Sequence, residues 1–159
     1  MPRAPLPKLS WDRTEVLEKE VGKGKTKEKL LTLQVLEDAK SSKKPIIIFF
    51  TTTKGKVAKK GQSLENRVFA SPKIVNTAKE FHAVKIDIST LNKNQLKMVV
   101  KKFHLRTLPM ILILTYNGKK GYRYGIHNST PARILTAMNY ILKLNKLYLK
   151  KEKKKKATS

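Results

Sequence analysis

The feature that most constrains the fold of this chain is the apolar run IIIFF at residues 46–50. All five side chains are β-branched or aromatic, which is typical of a strand that is buried on both faces. The run is followed by TTTKGKVAKKGQ, residues 51–62, in which threonine gives way to lysine and glycine. This composition predicts a loop at the end of a buried strand, which is a common place for a functional site.

Further strands and helices alternate along the chain. Strands are predicted at residues 82–88 and 108–116, and NGKK at residues 117–120 predicts a hairpin turn into a paired strand at 121–126. Helical patterns cover residues 30–39, 63–69, 71–81 and 92–105, and a last helix runs from Pro131 to about Leu149. This order favours an α/β fold with a mainly parallel core sheet, to which the hairpin adds an antiparallel edge.

The chain of 159 residues is long enough for one domain with its own core. Residues 1–29 are predicted to be a basic, proline-containing extension, with a weak helix or a mobile segment over residues 12–29. Residues 30–149 are predicted to form the folded domain. Residues 150–159 are rich in lysine and are predicted to be a disordered tail.

Four stretches give the chain a resemblance to a known family: KKPIIIFF, LENRVFASPKIV, FHAVKIDI and FHLRTLPMILILTYNGK. In this order they resemble the thioredoxin fold, and in particular the thioredoxin-like domains of bacterial thiol–disulfide interchange proteins. The resemblance covers about residues 39–144. It implies a mixed central sheet flanked by helices, and the order of elements adds an extra helix in front of the first core strand.

The resemblance gives Pro109 a specific role. In the family, the proline at this position follows a cis peptide bond, and the backbone beside it pairs with an extended substrate peptide. Leu108 would supply that backbone here. The alternative is that Pro109 only begins a strand after a turn.

The catalytic half of the family pattern is missing. The two redox cysteines would fall near Ala58 and Gly61, in a loop formed with Lys59 and Lys60, but the sequence contains no cysteine. Phe49 stands about where the family often has a buried carboxylate. With neither the thiols nor the base, thiol–disulfide exchange is excluded, and no catalytic residue is assigned.

The charge of the chain suggests a polyanionic partner. It has 36 Lys and Arg residues against 11 Asp and Glu residues, a net charge of +25, and no acidic residue from position 88 to position 151. RNA, DNA, an acidic protein or an anionic membrane surface would be attracted by such a field. Drift towards lysine codons would leave the same composition. The candidate contacts are Lys54, Lys56, Lys93, Lys97, Lys101, Lys119, Lys120 and Arg123.

Tyr122 and Tyr124 flank Arg123 on the predicted hairpin, where they could stack on bases of single-stranded nucleic acid. The alternative is that one tyrosine faces the core and the other is an ordinary edge residue. The P-loop pattern does not fit residues 55–62, because five residues separate the two glycines and Gln62 stands where lysine is required.

Other chemistry is not indicated by the sequence. His82, His104 and His127 have no metal-ligand spacing, and no cofactor is implied. The proline-containing N-terminus predicts no secretory signal and, by default, a cytoplasmic location, unless a signal has been removed. We therefore expect a redox-inactive binding or adaptor protein with a cationic surface. A nucleic-acid-binding or ribonucleoprotein component is the alternative, and an enzyme of unrelated chemistry is a third, weaker one.

Overall fold

The structure, a computed structural model, describes residues 9–12, 14–22, 24–26 and 28–158. The strands are β1 (Val16–Val21), β2 (Glu28–Leu33), β3 (Ile46–Thr51), β4 (His82–Asp87), β5 (Met110–Leu114) and β6 (Gly121–Tyr124). The helices are α1 (Gln34–Ser42), α2 (Val57–Val68), α3 (Pro72–Thr77), α4 (Lys93–Phe103) and α5 (Pro131–Thr158). Short 3-10 turns lie at Gly24–Thr26, Ala78–Glu80 and Ile88–Thr90.

Four strands form the central sheet, in the order β4-β3-β5-β6. The β3–β4 pair is parallel, whereas β5 runs antiparallel to both β3 and β6. The sheet is therefore mixed, which confirms the mixed central sheet expected from the resemblance, whereas the mainly parallel core expected from the order of elements was wrong. The chain enters β5 beside Phe50, at the carboxyl end of β3, so that the two strands run in opposite directions.

The two faces of β3 carry separate halves of the core, which explains why the whole strand is apolar. Ile47 and Phe49 pack with α2, α3 and the first half of α5. Ile46, Ile48 and Phe50 pack with α1 and α4 on the other face. Every residue of β3 is buried, as expected for a strand covered on both sides.

The N-terminal region differs from its predicted weak helix or mobile segment. Strands β1 and β2 form a separate antiparallel hairpin, and Leu30 to Leu33 belong to β2 rather than to a helix. Helix α1 begins only at Gln34. The reason is that Leu30 and Leu31 pair with residues of β1, and this tertiary pairing overrides a local helical pattern.

Residues 9–12 lie along β4. The Asp12 amide donates to the Ala83 carbonyl at 2.7 Å, and the Leu9 amide donates to the Phe69 carbonyl at 3.0 Å. The Trp11 ring contacts the Phe69 ring at 4.7 Å between centroids. This segment thus covers the outer edge of the sheet and extends the core.

Residues 51–62 were predicted to be a loop, but their second half is helical. Gly55 has a φ of 79°, which turns the chain, and α2 begins two residues later at Val57. The buried face of α2 is Gly61, Leu64 and Val68, a helical spacing that starts within the lysine-rich stretch. The polar composition of that stretch concealed its helical period.

Helix α5 continues to Thr158, through the residues that were predicted to be a disordered tail. Near its end, Glu152 accepts a hydrogen bond from the Tyr116 hydroxyl and lies 3.8 Å from the Lys43 ammonium. These contacts tie the lysine-rich end of the helix to the domain. In the described part of the chain, no helix is long and apolar enough to cross a membrane.

Candidate functional site

A cleft of about 450 Å³ lies beside Pro109, at the start of β5. Two segments line it: Thr107, Leu108 and Pro109 form one wall, and residues 125–128 form another. Lys60 reaches the cleft from α2. The Leu108–Pro109 peptide bond is cis.

Backbone groups are open at this cleft. Within the described part of the chain, neither Thr107 nor Leu108 makes a backbone hydrogen bond, because the β3–β5 ladder begins only at Met110. The other wall is held differently: the Gly125 amide donates to Asn128 Oδ1 at 2.6 Å, and the Gly125 carbonyl accepts from Ser129 Oγ at 2.6 Å. The cleft thus has one wall whose Gly125 backbone groups are hydrogen-bonded. Its other wall has the unpaired backbone groups of Thr107 and Leu108.

Residues 58–61, which the resemblance aligns with the redox motif, lie in the first two turns of α2. Lys59 and Lys60 are exposed, Ala58 is half-buried and Gly61 is buried. A Cβ atom at Gly61 would overlap Thr51 Oγ1, and it would lie 4.0 Å from the Pro109 Cβ. Gly61, which the resemblance places near the second cysteine, therefore has no room for a side chain unless Thr51 moves.

The Phe49 side chain has no group that could transfer a proton. Its side chain is fully buried, with its ring 5.8 Å from Trp11 and 5.2 Å from Phe69. A carboxylate in this position would lose its hydration among aromatic rings, at a large cost in free energy. The residue at the family's carboxylate position is here a packing residue.

Asp87 is the acidic residue at the carboxyl end of the parallel strands, where it is the register partner of Thr51. It accepts from Thr53 Oγ1 at 2.7 Å, from Ser89 Oγ at 2.7 Å and from the Ser89 amide at 3.0 Å. Burial disfavours its ionised form, but these hydrogen bonds outweigh burial and hold the pKa of Asp87 below its ordinary value. Asp87 therefore anchors the turn before α2 as a carboxylate.

The candidate polyanion contacts fall in three places. Lys54 and Lys56 lie in the turn before α2. Helix α4 carries Lys93, Lys97 and Lys101, and the β5–β6 hairpin carries Lys119, Lys120 and Arg123. All of them are exposed. The structure does not gather them into one site, although Lys101 and Arg123 each line a cavity.

The hairpin tyrosines have different environments. Tyr124 is half-buried against the core, whereas Tyr122 is 37% exposed. The Tyr122 ring meets the ring of Tyr140, from α5, at 5.8 Å between centroids. Tyr140 was not singled out from the sequence, since it lies far along the chain in a helix of ordinary composition.

The histidines do not form a metal centre. His82 Nε2 lies 2.6 Å from Ser42 Oγ, His104 ends α4 with a φ of 50°, and His127 is exposed at the cleft. In the chain as described, no cluster of His, Asp and Glu could hold a metal ion. Sequence reasoning also missed Thr107 and residues 125–128, because only the tertiary fold brings them to Pro109.

Comparisons with known proteins show the fold. No protein-family model and no curated protein sequence matches the chain. A solved structure described as DsbH oxidoreductase is 18% identical, with a TM-score of 0.59, and the match covers 91% of this chain and 92% of that one. A thioredoxin from Thermus thermophilus is 11% identical, with a TM-score of 0.53, over 69% of this chain and 82% of that one. This protein therefore has a thioredoxin-like fold that lacks the redox cysteines.

Proposed function

We propose that this protein is a redox-inactive, thioredoxin-like binding protein, and not an enzyme, that holds an extended segment of a partner protein in the cleft beside Pro109. The observation that carries the proposal is the open backbone at Thr107 and Leu108, on a wall of that cleft. An extended peptide can add to such a backbone as a strand, with its side chains entering the cleft.

The groups around the cleft favour an acidic partner. Lys60 and His127 line it, and no acidic side chain does so among the described residues. The net charge of +25 would speed the approach of an acidic segment, since complementary fields raise association rates more than they raise affinity. The choice among acidic peptides must then come from contacts with the residues that line the cleft.

The test is to select peptides from a displayed library and to measure their affinity by fluorescence anisotropy. Thr107→Trp fills the cleft from an exposed position, and Thr136→Trp makes the same change on an exposed part of α5. We expect Thr107→Trp to weaken binding by about tenfold or more, because it occupies the volume that the peptide needs. Equal affinities for the two variants, or a selection that yields no binding peptide, would overturn the proposal.

Single-stranded nucleic acid is a second candidate partner, and the Tyr122–Tyr140 pair favours it. Two exposed rings beside Lys119 and Lys120 could stack on bases while the lysines contact phosphates. A labelled oligouridylate should then bind at about 50 mM salt and weaken steeply as salt is added. It should also weaken in Tyr140→Ala, and the absence of binding at low salt would remove this candidate.

A further inference from the structure

Two further cavities continue from the cleft beside Pro109. A second cavity, of about 370 Å³, shares Thr107 and Gly125 with the cleft. A third, of about 420 Å³, shares His104 and Arg123 with the second. The three cavities therefore adjoin one another in a row, called the groove below, which leads from Pro109 to the space between α1 and α4.

Cationic and histidine side chains line every section of this groove. They come from α1, α2, α4, β6 and the adjoining loops, and they are Lys40, Lys60, Lys102, His104, Arg106, Arg123 and His127. No acidic side chain lines any of the three sections in the described part of the chain. Glu37 lines a neighbouring depression, beyond the α1 end of the groove.

Two of these cations reach the third cavity from different elements. Lys102, from α4, donates from Nζ to Thr32 Oγ1 at 3.1 Å, which directs its side chain towards β2. Arg123, from β6, is exposed, and its side chain makes no hydrogen bond or ion pair with any described residue. An anion between them would meet cationic groups from two elements.

Apolar side chains also line the third cavity. Leu112 and Leu114 contribute from β5, Phe103 from α4 and Leu36 from α1. Leu112 and Phe103 are buried, while Leu36 and Leu114 are half-buried. Apolar surface beside cationic side chains suits a chain that carries apolar and acidic side chains together.

This combination distinguishes a peptide from a nucleic acid. Single-stranded nucleic acid is usually bound on aromatic rings that stack on its bases. The exposed Tyr122–Tyr140 pair lies on the α5 side of β6, whereas Arg123, the intervening residue, lies on the opposite side. Phe103 and Tyr116 line the groove but are buried, and Tyr124 is half-buried, so the exposed pair of rings lies outside the groove.

We propose that the whole groove binds an extended, acidic segment of a partner protein in which carboxylate and aliphatic side chains alternate, and that this segment runs from Pro109 to Lys40. The inference rests on the proposed function, since it extends the peptide from the cleft. It adds a second contact region and defines the chemistry of the partner.

The probe is a fluorescein-labelled peptide of alternating Glu and Leu, about twelve residues long, which spans roughly 40 Å when extended. Arg123→Glu and Lys40→Glu reverse charges inside the groove. Lys93→Glu and Lys97→Glu make the same change on exposed positions of α4 that line none of its sections. Circular dichroism and thermal unfolding of each variant establish that it is folded as the parent is.

We expect each groove variant to weaken binding by about tenfold and each control by less than about threefold, because a fixed charge beside the peptide acts at shorter range than the general field. A peptide with Lys in place of Glu should not bind. If the groove and control variants lose the same amount of peptide affinity, net charge alone explains the binding and the inference is overturned.

Thr107→Trp separates this inference from the proposed function. If Thr107→Trp weakens the peptide while Arg123→Glu and Lys40→Glu do not, the cleft stands and its extension fails. If Thr107→Trp has no effect, or if the peptide does not bind at all, the proposed function fails as well. If a labelled oligouridylate binds more tightly than the peptide and depends more strongly on Arg123, the groove belongs to nucleic acid and the inference is wrong.

Discussion

At the scale of single residues, the positions that the resemblance aligns with the redox motif are packing sites. Gly61, aligned near the second cysteine, lies against the Thr51 hydroxyl. Phe49, aligned with the carboxylate, is an aromatic residue of the core. Counting along the sequence could locate these positions, but it could not show that Gly61 is required by contact with Thr51.

Gly61→Ala tests this packing. An alanine Cβ would overlap Thr51 Oγ1, and overpacking of a buried contact typically costs about 1–3 kcal/mol of the free energy of unfolding. Thr51→Ala removes the hydroxyl, so that the double variant should regain most of that loss and keep the higher helix propensity of alanine. Urea unfolding followed by the fluorescence of Trp11, the one tryptophan of the chain, measures both effects.

A Gly61→Ala variant as stable as the parent would contradict this account of the position. Additive effects of the two substitutions would also contradict it, because residues in direct contact should show a coupling energy.

At the scale of elements, the sequence predicted the strands and helices that have a clear apolar periodicity. It did not predict the elements that depend on pairing with residues distant in sequence. The core strands β3 to β6 and helix α4 follow from apolar runs, the NGKK turn and an amphipathic stripe. The β1–β2 hairpin was not predicted, because the spacing of the β2 leucines fits the apolar stripe of a helix equally well. The helical start of α2 and the end of α5 are likewise set by contacts with residues distant in sequence.

The end of α5 offers a pH-dependent test. The hydrogen bond from Tyr116 lowers the pKa of Glu152 below its ordinary value of 4.5, and nearby lysines, Lys43 among them, lower it further. On the other partner, burial, and then the hydrogen bond to Glu152, raise the pKa of Tyr116 to about 12. The Glu152 carboxylate therefore stabilises the folded state above pH 4.5, and this stabilisation is lost as the pH falls through its folded pKa.

We expect Glu152→Gln to unfold at a lower temperature than the parent at about pH 7, and the difference to disappear at about pH 3. Thermal unfolding followed by circular dichroism measures this. Glu80→Gln removes the same charge at an exposed position and serves as the control. A difference of the same size at both pH values would mean that the ionised carboxylate is not what holds the helix end.

At the scale of the whole molecule, charge and shape have separate roles. The net charge of +25 is readable from composition, and it provides a long-range field that does not select a site. The proposed site is the groove from Pro109 to the α1–α4 cavity, for which the sequence indicated Leu108, Pro109, Lys60 and Arg123 as separate residues. Their neighbours Lys40, His104 and Arg106 could not be predicted, because only the folded chain brings them together.

The most direct test of the account is an amide chemical-shift map of the ¹⁵N-labelled protein titrated with the acidic peptide. We predict that the shifts concentrate on Thr107, Leu108 and residues 125–128, and that they continue through Arg123 and His104 towards Lys40. Shifts confined to the exposed lysines of α4 and the lysine-rich end of α5, with the cleft beside Pro109 unchanged, would contradict it.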